Sequence, residues 1–422
     1  MMLLTATARP FRASFSSSYL LLRNTRNFVA STSTAAVAAT TATTATTANA
    51  AVRVAVFGSG RMGEIRASIV RSNPQYELVG IVDDNNLLKS SKSHDLAHRL
   101  GLGRASVYAN MHELLLGQSS SWPSASASSK LPLDAIIVST PTHTHASIIR
   151  EACDAGLKGV FCEKPIGSNA TEIKELFDLA DTATLQLCCG FQRRFDPSYQ
   201  ALAESVRNGD IGTPIVSNIF FADHPAPPKE FMLDNGGDGG DIFLDLCAHD
   251  VDFITYALND TVRSVYATIT GPNSDPDFEK AGIQENAVML LHMEQGTVVN
   301  LFMSRSATYG YDQRVEIFGT EGLVSVENPS ENSMVLSNRS GIRHGRLAHS
   351  FPQRFEQAFA NELHVFADVV LNEMEKQEDI GSKINDCKWP IAAEQCIRVQ
   401  KVADAARRSC QEGRLVEIDY YN

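Results

Sequence analysis

The stretch VRVAVFGSGRMG, residues 52–63, decides the fold of this chain. It is an apolar, β-rich run that ends in glycines. The sequence RMGEIRASIVRS, which overlaps its last three residues, has helical spacing. A second strand-like run, YELVGIVDDN, follows and completes a predicted β-α-β unit. Strand-like and helical runs keep alternating up to GVFCEKP, so the sequence predicts an α/β fold with a doubly wound parallel sheet.

The glycine loop carries a nucleotide-binding signature. Gly58, Gly60 and Gly63 form G-x-G-x-x-G between a strand and a helix, where the chain must turn tightly and let a pyrophosphate approach the backbone. Asp83 ends the second strand, where the fingerprint places the acidic residue that binds the adenosine ribose. Together these features predict a dinucleotide cofactor. The alternative is a set of glycines that serves only the turn.

The acidic residue also bears on the choice of cofactor. A carboxylate at Asp83 accepts hydrogen bonds from a ribose 2′-hydroxyl but repels a 2′-phosphate, and Asp84 adds to that repulsion. The sequence therefore favours NAD over NADP. Arg61, next to Met62 inside the glycine loop, could still reach a phosphate.

The pattern changes after about residue 170. Longer β-rich runs predict antiparallel strands with hairpin turns at residues 294–296 and 320–322, and two closing helices are predicted near residues 353–372 and 391–406. We therefore expect a cofactor domain over residues 51–170 and a C-terminal substrate and oligomerisation domain over residues 171–422. The Ser/Ala-rich segment between Gln118 and Leu131 is interpreted as a surface insertion.

Composition favours a small-molecule partner. The net charge is −12, and no basic cluster follows the N-terminal segment, so no electrostatic footprint for nucleic acid or an anionic membrane surface is present. Beyond residue 50 no apolar run approaches the length that crosses a bilayer. The eight cysteines are scattered without metal-ligand spacing, which is typical of reduced core thiols.

The first part of the chain has a different composition. Residues 1–50 contain no Asp or Glu, include four arginines and run into an Ala/Thr tract. This composition predicts a removable organelle transit peptide, mitochondrial in preference to plastid because of its arginines. The alternative is a disordered tail on a cytoplasmic protein.

Two further segments carry groups suited to chemistry. Lys164 lies in E-K-P after a strand, at the edge where parallel sheets bind ligands, although it could instead be a surface lysine paired with Glu163. A predicted helix that begins near Asp241 places Asp245, His249 and Asp252 on one stripe. Alcohol oxidation needs a base for the hydroxyl proton, and a histidine oriented by a carboxylate is suited to it. A solvent-facing polar stripe is the alternative.

Taken jointly, these motifs resemble the glucose-fructose oxidoreductase / inositol dehydrogenase / rhizopine-catabolism family, called Gfo/Idh/MocA. The resemblance runs from Val52 to Val416 and includes T-P-T-H-T-H, G-F-Q-R-R-F-D and E-I-F-G-T-E-G. It implies an N-terminal Rossmann domain and a C-terminal α+β domain with a large open antiparallel sheet. It also implies a homodimer or homotetramer.

The resemblance implies site residues as well. Lys164 matches the family's lysine that contacts the nicotinamide side and the reacting oxygen, Asp245 its substrate-binding aspartate and His249 its proton-accepting histidine. Other cofactor contacts implied in this way are Thr140, Pro141, His145, Glu163 and Gln192. His143 and His145 lack further ligands, so no metal is expected.

Within the family the motifs are most similar to the myo-inositol 2-dehydrogenase branch, which implies oxidation of myo-inositol to 2-keto-inositol. Candidates for hydroxyl contacts are Asp223, His224, Arg305 and Tyr309. The alternatives are another sugar or dihydrodiol dehydrogenase of the family, a reductase that runs the reaction backwards, and a non-catalytic NAD-binding sensor.

Overall fold

The computed structural model describes residues 51–83, 91–102, 106–121, 133–233, 241–377 and 387–420. The predicted transit peptide, Asp84, most of the Ser/Ala-rich insertion and the glycines just before Asp241 lie outside these residues. Among the described residues no helix is both long and apolar enough to cross a membrane.

A six-stranded sheet forms the first half of the fold, and all its strand pairs are parallel. Its strands are β1 Val52–Phe57, β2 Tyr76–Val82, β3 Val107–Tyr108, β4 Ala135–Val138, β5 Gly159–Glu163 and β6 Gln186–Gly190. The helices between them are α1 Arg61–Ser72, α2 Ser91–Arg99, α3 Met111–Ser121, α4 His145–Asp154 and α5 Ala170–Thr182. The strand order β3-β2-β1-β4-β5-β6 is that of a doubly wound Rossmann sheet, which confirms the predicted fold class.

The second half is built on a seven-stranded sheet with the order β12-β11-β7-β10-β9-β8-β15. Its strands are β7 Pro214–Ala222, β8 Val262–Ile269, β9 Asn286–Met293, β10 Val298–Ser304, β11 Asp312–Gly319, β12 Leu323–Val326 and β15 Val416–Glu417. The strands β13 Val335–Asn338 and β14 Gly341–His344 form a separate hairpin. The remaining helices are α6 Pro197–Asn208, α7 Lys229–Leu233, α8 Ile242–Asp245, α9 Cys247–Leu258, α10 Pro276–Ala281, α11 Phe351–Arg354, α12 Glu356–Gln377 and α13 Ala393–Glu412.

The large sheet is mixed rather than purely antiparallel, which refines the prediction. Both predicted hairpins are present, because β9 pairs antiparallel with β10 and β11 pairs antiparallel with β12. However, β7 and β10 run parallel, with Ala222 opposite Ser304. The long connection between them, through α7 to α9, β8 and β9, gives the chain enough length to return in the same direction. Their shared carboxyl edge contributes to the site.

The predicted boundary at residue 170 falls before the parallel sheet is complete, because β6 still belongs to that sheet. The chain also returns to this sheet much later. Helix α12 packs Leu363, Phe366 and Val370 against Val54 and Ile137 of the parallel strands. The C-terminal part of the chain therefore supports the cofactor domain directly.

The eight cysteines are thiols, and six of them are buried.

Candidate active site

The glycine loop has the geometry that its sequence predicts. Gly58 has φ +95°, where a side chain would be strained and a Cβ would lie 2.7 Å from the carbonyl oxygen of Ser139. A Cβ on Gly63 would lie 1.9 Å from the carbonyl oxygen of Gly58, so this glycine lets α1 pack closely on the loop. A Cβ on Gly60 would meet nothing within 4 Å. The loop thus leaves an open face at the N-terminus of α1, where a pyrophosphate fits.

Asp83 lies at the carboxyl end of β2, beside this loop. Its Oδ2 accepts hydrogen bonds from the backbone N–H of Ser59, at 3.2 Å, and from the Ser59 hydroxyl. A groove of about 650 Å³ opens beside Ser59, whose hydroxyl donates to Asp83. The groove is lined by Ser59, Gly60, Arg61, Glu64, Lys92, Asp95, His98 and Arg99. An open glycine face, a groove of this size and an acidic group at its edge fit a dinucleotide.

The other two loop residues face different surroundings. Arg61 Nη2 donates to the Ser350 hydroxyl at 2.5 Å, and the guanidinium lies 4.2 Å from the centroid of the Phe351 ring. Arg61 therefore joins the glycine loop to the segment before α11. Met62 is half-buried and packs against the main hydrophobic core.

The T-P-T-H-T-H segment turns from β4 into α4. His145 is buried, with Nδ1 2.8 Å from the carbonyl oxygen of Pro165 and Nε2 2.8 Å from that of Thr140. This histidine therefore ties the segment after β4 to the segment after β5, both at the carboxyl edge of the sheet. Pro141 is exposed there, and among the described residues no group of three His, Cys, Asp or Glu could hold a metal.

The side chains of Glu163 and Lys164, at the end of β5, contact different partners. Glu163 Oε1 accepts a hydrogen bond from Nε of the buried Arg66 at 2.7 Å. Lys164 reaches away to α8, where its Nζ donates to Oδ1 of Asp245 at 2.9 Å and to the main-chain carbonyl of Asp245 at 2.8 Å. The surface-lysine alternative is wrong, because Glu163 pairs with Arg66 and the Lys164 side chain is only 14 % exposed.

Asp245 is held between two cations. Its Oδ2 accepts a hydrogen bond from Nη1 of Arg305 at 2.8 Å. Burial alone would raise the pKa of Asp245, but the charges of Lys164 and Arg305 lower it below its ordinary value. Asp245 is therefore ionised at neutral pH and is not suited to accept a proton.

His249 lies on α9, one turn beyond Asp245. Burial lowers the pKa of His249 well below its ordinary value, and the Lys164 charge lowers it further. The imidazole is therefore neutral at physiological pH and can accept a proton. Its Nδ1 is buried without a hydrogen-bond partner among the described residues, and its ring packs edge-on against Phe191 at 6.2 Å between centroids. No hydrogen bond joins Asp245 to His249 in the described part of the chain, so the phenyl ring, rather than that carboxylate, contacts the imidazole.

The third member of the predicted stripe, Asp252, does not reach the site. It is 1 % exposed and pairs with Arg194, with Nε to Oδ2 at 2.8 Å and Nη2 to Oδ1 at 2.6 Å. The solvent-facing alternative is also wrong, because this carboxylate is buried.

A buried arginine pair in the turn before α6 was not predicted. Arg193 contacts Asp250 and Gln313, while Arg194 contacts Asp252. These contacts fix α9 against the turn that begins at Gln192, which is itself 5 % exposed. The signal available in the sequence was the pair of adjacent arginines in G-F-Q-R-R-F-D.

The four candidate hydroxyl contacts differ in where they lie: two follow the ends of the parallel strands, and the other two make hydrogen bonds to nearby residues of the chain. Asp223 and Arg305 follow the parallel strands β7 and β10, and burial raises the pKa of Asp223 to about 6. His224 is tied through Nδ1 to the carbonyl oxygen of Ala307 at 2.7 Å. Tyr309 is 58 % exposed and donates to Asp312 at 2.7 Å, so its hydroxyl is engaged on the neighbouring strand.

The chain is similar to known oxidoreductases over most of its length. Residues 52–191 match the oxidoreductase family with an NAD-binding Rossmann fold, and residues 199–325 match the GFO/IDH/MocA C-terminal domain. The myo-inositol 2-dehydrogenase of Thermotoga maritima is 32 % identical over 87 % of this chain and 99 % of its own. The inositol 2-dehydrogenase of Rhizobium meliloti is 30 % identical, with the same shares of the two chains covered.

Solved structures give the same result. The scyllo-inositol dehydrogenase of Lactobacillus casei, solved with bound NAD(H) and scyllo-inositol, superposes with a TM-score of 0.71 at 25 % identity, covering 87 % of this chain and 99 % of that one. With the glycine loop, Asp83 and the groove described above, these similarities identify NAD as the cofactor. The chain belongs to the GFO/IDH/MocA family of NAD-binding oxidoreductases.

Proposed function

We propose that this protein is an inositol 2-dehydrogenase-like enzyme that oxidises a secondary alcohol of a cyclitol, with myo-inositol converted to 2-keto-inositol. The observation that carries the proposal is the contact between Lys164 and Asp245 beside a neutral His249 at the carboxyl edge of the parallel sheet. The relatives named above that act on inositols support the choice of substrate class.

Lys164 is suited to bind the reacting oxygen. An ammonium has three N–H donors. Two of them are directed to the carboxylate and main-chain oxygens of Asp245, at 2.9 and 2.8 Å. The third remains for the substrate hydroxyl, whose oxygen gains negative charge as its proton leaves. The lysine thereby stabilises the developing oxyanion in a largely buried site.

His249 is the proposed proton acceptor. Its lowered pKa keeps the ring neutral, so a ring nitrogen can take the hydroxyl proton. Because Nδ1 is buried, Nε2 is the nitrogen we assign to this step. When bound along the glycine loop, NAD⁺ would supply the acceptor for the hydride from the carbon that carries the reacting hydroxyl. Asp245 holds Lys164 in place and stays ionised throughout.

Absorbance of reduced nicotinamide tests the proposal, with NAD or NADP and a panel of inositols, aldoses and aromatic dihydrodiols. We expect NAD reduction with myo-inositol or scyllo-inositol. Lys164→Met should lower kcat by roughly 10²-fold or more while NAD binding by calorimetry persists. Turnover of only an aldose or a dihydrodiol would support another enzyme of the family. Tight NAD binding with no turnover would support the sensor.

We also propose that the protein forms a homodimer or homotetramer through the outer face of the seven-stranded sheet. Helices α6 and α13 pack on the sheet's other side. On the outer face Phe220 stacks on Phe302, and exposed apolar side chains of this kind mark interfaces. Exposed apolar side chains of the same sheet include Leu290, Phe318 and Leu323. Light scattering should give a multiple of the chain mass, and Phe318→Glu should lower it.

Finally, we propose that residues 1–50 direct the protein to mitochondria, with the plastid as the alternative. The absence of acidic residues and the presence of arginines in this segment support the proposal. The family match begins only at residue 52. A fluorescent protein fused after residue 50 should enter mitochondria, and a uniform cytoplasmic signal would contradict the proposal.

A further inference from the structure

Arg305 occupies a position that the reaction described above does not explain. It follows β10 directly, is 1 % exposed, and its backbone N–H donates to the carbonyl oxygen of Glu285 at 2.9 Å. Its Nη1 lies 2.8 Å from Oδ2 of Asp245, while Lys164 holds the other carboxylate oxygen. Arg305 therefore lies behind Asp245, on the far side of the carboxylate from the lysine's contact.

The contact with Asp245 leaves part of the Arg305 guanidinium without a partner. The Nε and Nη2 of Arg305 are buried without a hydrogen-bond partner among the described residues. Each unsatisfied buried donor has lost its hydrogen bonds to water without a replacement. The structural arginine Arg194, by contrast, uses all three guanidinium nitrogens, on Asp252 and the carbonyl oxygen of Pro390. Arg66 and Arg354 also keep buried guanidinium nitrogens without a partner among the described residues, so the role of Arg305 follows from the group that it contacts, Asp245.

Arg305 is also poorly placed to bind substrate. Its unpaired nitrogens are closed to solvent, so a polyol hydroxyl would have to displace the surrounding side chains to reach them. This differs from the hydroxyl contact that the sequence predicted for Arg305. The group that remains for it to act on is Asp245.

We propose that Arg305 is a positioning residue that clamps Asp245 and thereby fixes the Lys164 ammonium for the reacting oxygen. The proposal rests on the proposed function, because it assigns Lys164 to that oxygen. With Oδ2 held by Arg305, the carboxylate cannot rotate away, so Oδ1 and the main-chain oxygen of Asp245 occupy two of the lysine's donors. With two donors of the Lys164 ammonium occupied, the orientation of its remaining N–H is fixed. Two cations around one carboxylate also leave a net positive charge where the oxyanion forms.

Three variants test the clamp by kinetics: Arg305→Met, Arg305→Lys and, as a control, Arg314→Met. Arg314 lies on the neighbouring strand β11 and pairs with Asp312 outside the site. We expect Arg305→Met to lower kcat by about 10²-fold, since misplacement of a reacting group by about 1 Å has an effect of this size. The KM for the polyol and the Kd for NAD should change less than about threefold, whereas Arg305→Lys should recover about tenfold in kcat because it keeps a donor for Oδ2.

A double-mutant cycle with Asp245→Asn shows whether Arg305 acts through Asp245. We expect Arg305→Met to have little further effect on kcat in the Asp245→Asn protein. The same 10²-fold loss in both backgrounds would overturn the proposal. So would a raised polyol KM with unchanged kcat, because that result makes Arg305 a substrate ligand.

Crystal structures of the variants give a readout that needs no turnover. The contact between Lys164 Nζ and Asp245 Oδ1 should persist in Arg305→Lys and be lost in Arg305→Met. Its persistence in Arg305→Met would overturn the clamp even if the wild-type enzyme oxidises inositols. Its loss, together with a wild-type protein that oxidises no polyol, would support the clamp and contradict the proposed function alone.

Discussion

The Nε of Arg66 lies 2.7 Å from Oε1 of Glu163, and this contact joins the helix of the glycine loop to the residue before Lys164. The same guanidinium lies 2.8 Å from Oε2 of Glu362 on α12 and packs between the rings of Phe161 and Phe359. Arg66 and Glu362 are completely buried. One arginine therefore holds together the cofactor loop, the end of β5 and a helix from the C-terminal part of the chain.

Removal of this arginine should destabilise the fold. Arg66→Met leaves the Glu163 carboxylate and the Glu362 carboxyl group without their partner, and removing one member of a buried pair in this way costs about 3–5 kcal/mol. We expect a loss of that size in the free energy of unfolding measured with urea. The exposed Arg71 on the same helix provides the control, Arg71→Met, which should change it by less than about 1 kcal/mol. Equal stability of the two variants would contradict a structural role for Arg66.

Glu362 should give the stability a characteristic pH dependence. Burial raises the pKa of Glu362 to about 8 from an ordinary value of 4.5, with Arg66 opposing this effect. Between these pH values the unfolded chain has lost the proton and the folded protein keeps it. The free energy of unfolding should therefore fall as the pH rises from about 5 to 8.

Denaturant unfolding at several pH values measures the slope of the unfolding free energy against pH. The glutamine in Glu362→Gln cannot ionise. The unfolding free energy of this variant should therefore fall less steeply with pH than that of the wild type, by the contribution of one proton. Glu356→Gln, at an exposed position of the same helix, should keep the wild-type slope. Identical slopes for wild type and Glu362→Gln would show that the buried carboxyl does not titrate as expected.

The glycine loop gives a matched pair of variants. Gly63→Ala places a Cβ 1.9 Å from the Gly58 carbonyl oxygen, so the loop must shift and both stability and NAD binding should decrease. Gly60→Ala meets nothing within 4 Å in the protein, so it should fold normally. It should nevertheless weaken NAD binding about tenfold, because the methyl group occupies the face that the pyrophosphate approaches. Unchanged NAD affinity in Gly60→Ala would place the cofactor elsewhere.

Asp83 should determine the preference for NAD. Asp83→Ala removes the charge that repels a 2′-phosphate, and the ratio of kcat/KM for NADP to that for NAD should rise about tenfold or more. Ser59→Ala keeps the carboxylate but removes the hydroxyl that donates to it, so the preference should be retained. A wild-type enzyme that prefers NADP would contradict this interpretation of Asp83.

The sequence predicted the parts of the site that depend on local geometry. The glycine loop and Asp83 follow from one β-α-β unit, whose turn and strand ends are set by nearby residues. The pairing of Lys164 with Asp245 spans 81 positions and depends on how two sheets pack, so spacing alone could not predict it. Only the family resemblance placed both residues in one site.

Two contacts could not be predicted for the same reason. Helical spacing puts Asp252 on one stripe with Asp245, but its partner Arg194 buries it away from the site. Arg305 was a candidate hydroxyl contact, and in the structure its side chain contacts Asp245. In both cases the deciding group is a charged partner on a distant element, which a local pattern does not contain.

Deuterium transfer tests the central claim most directly. Myo-inositol carrying deuterium on its ring carbons is incubated with NAD⁺ and the wild-type protein, with His249→Gln as the comparison, and the nicotinamide is analysed by NMR. The proposed mechanism predicts one deuterium at C4 of the reduced nicotinamide and a rate at least about 10²-fold lower in His249→Gln. Reduced nicotinamide without deuterium, or equal rates for the two proteins, would contradict direct hydride transfer at this site.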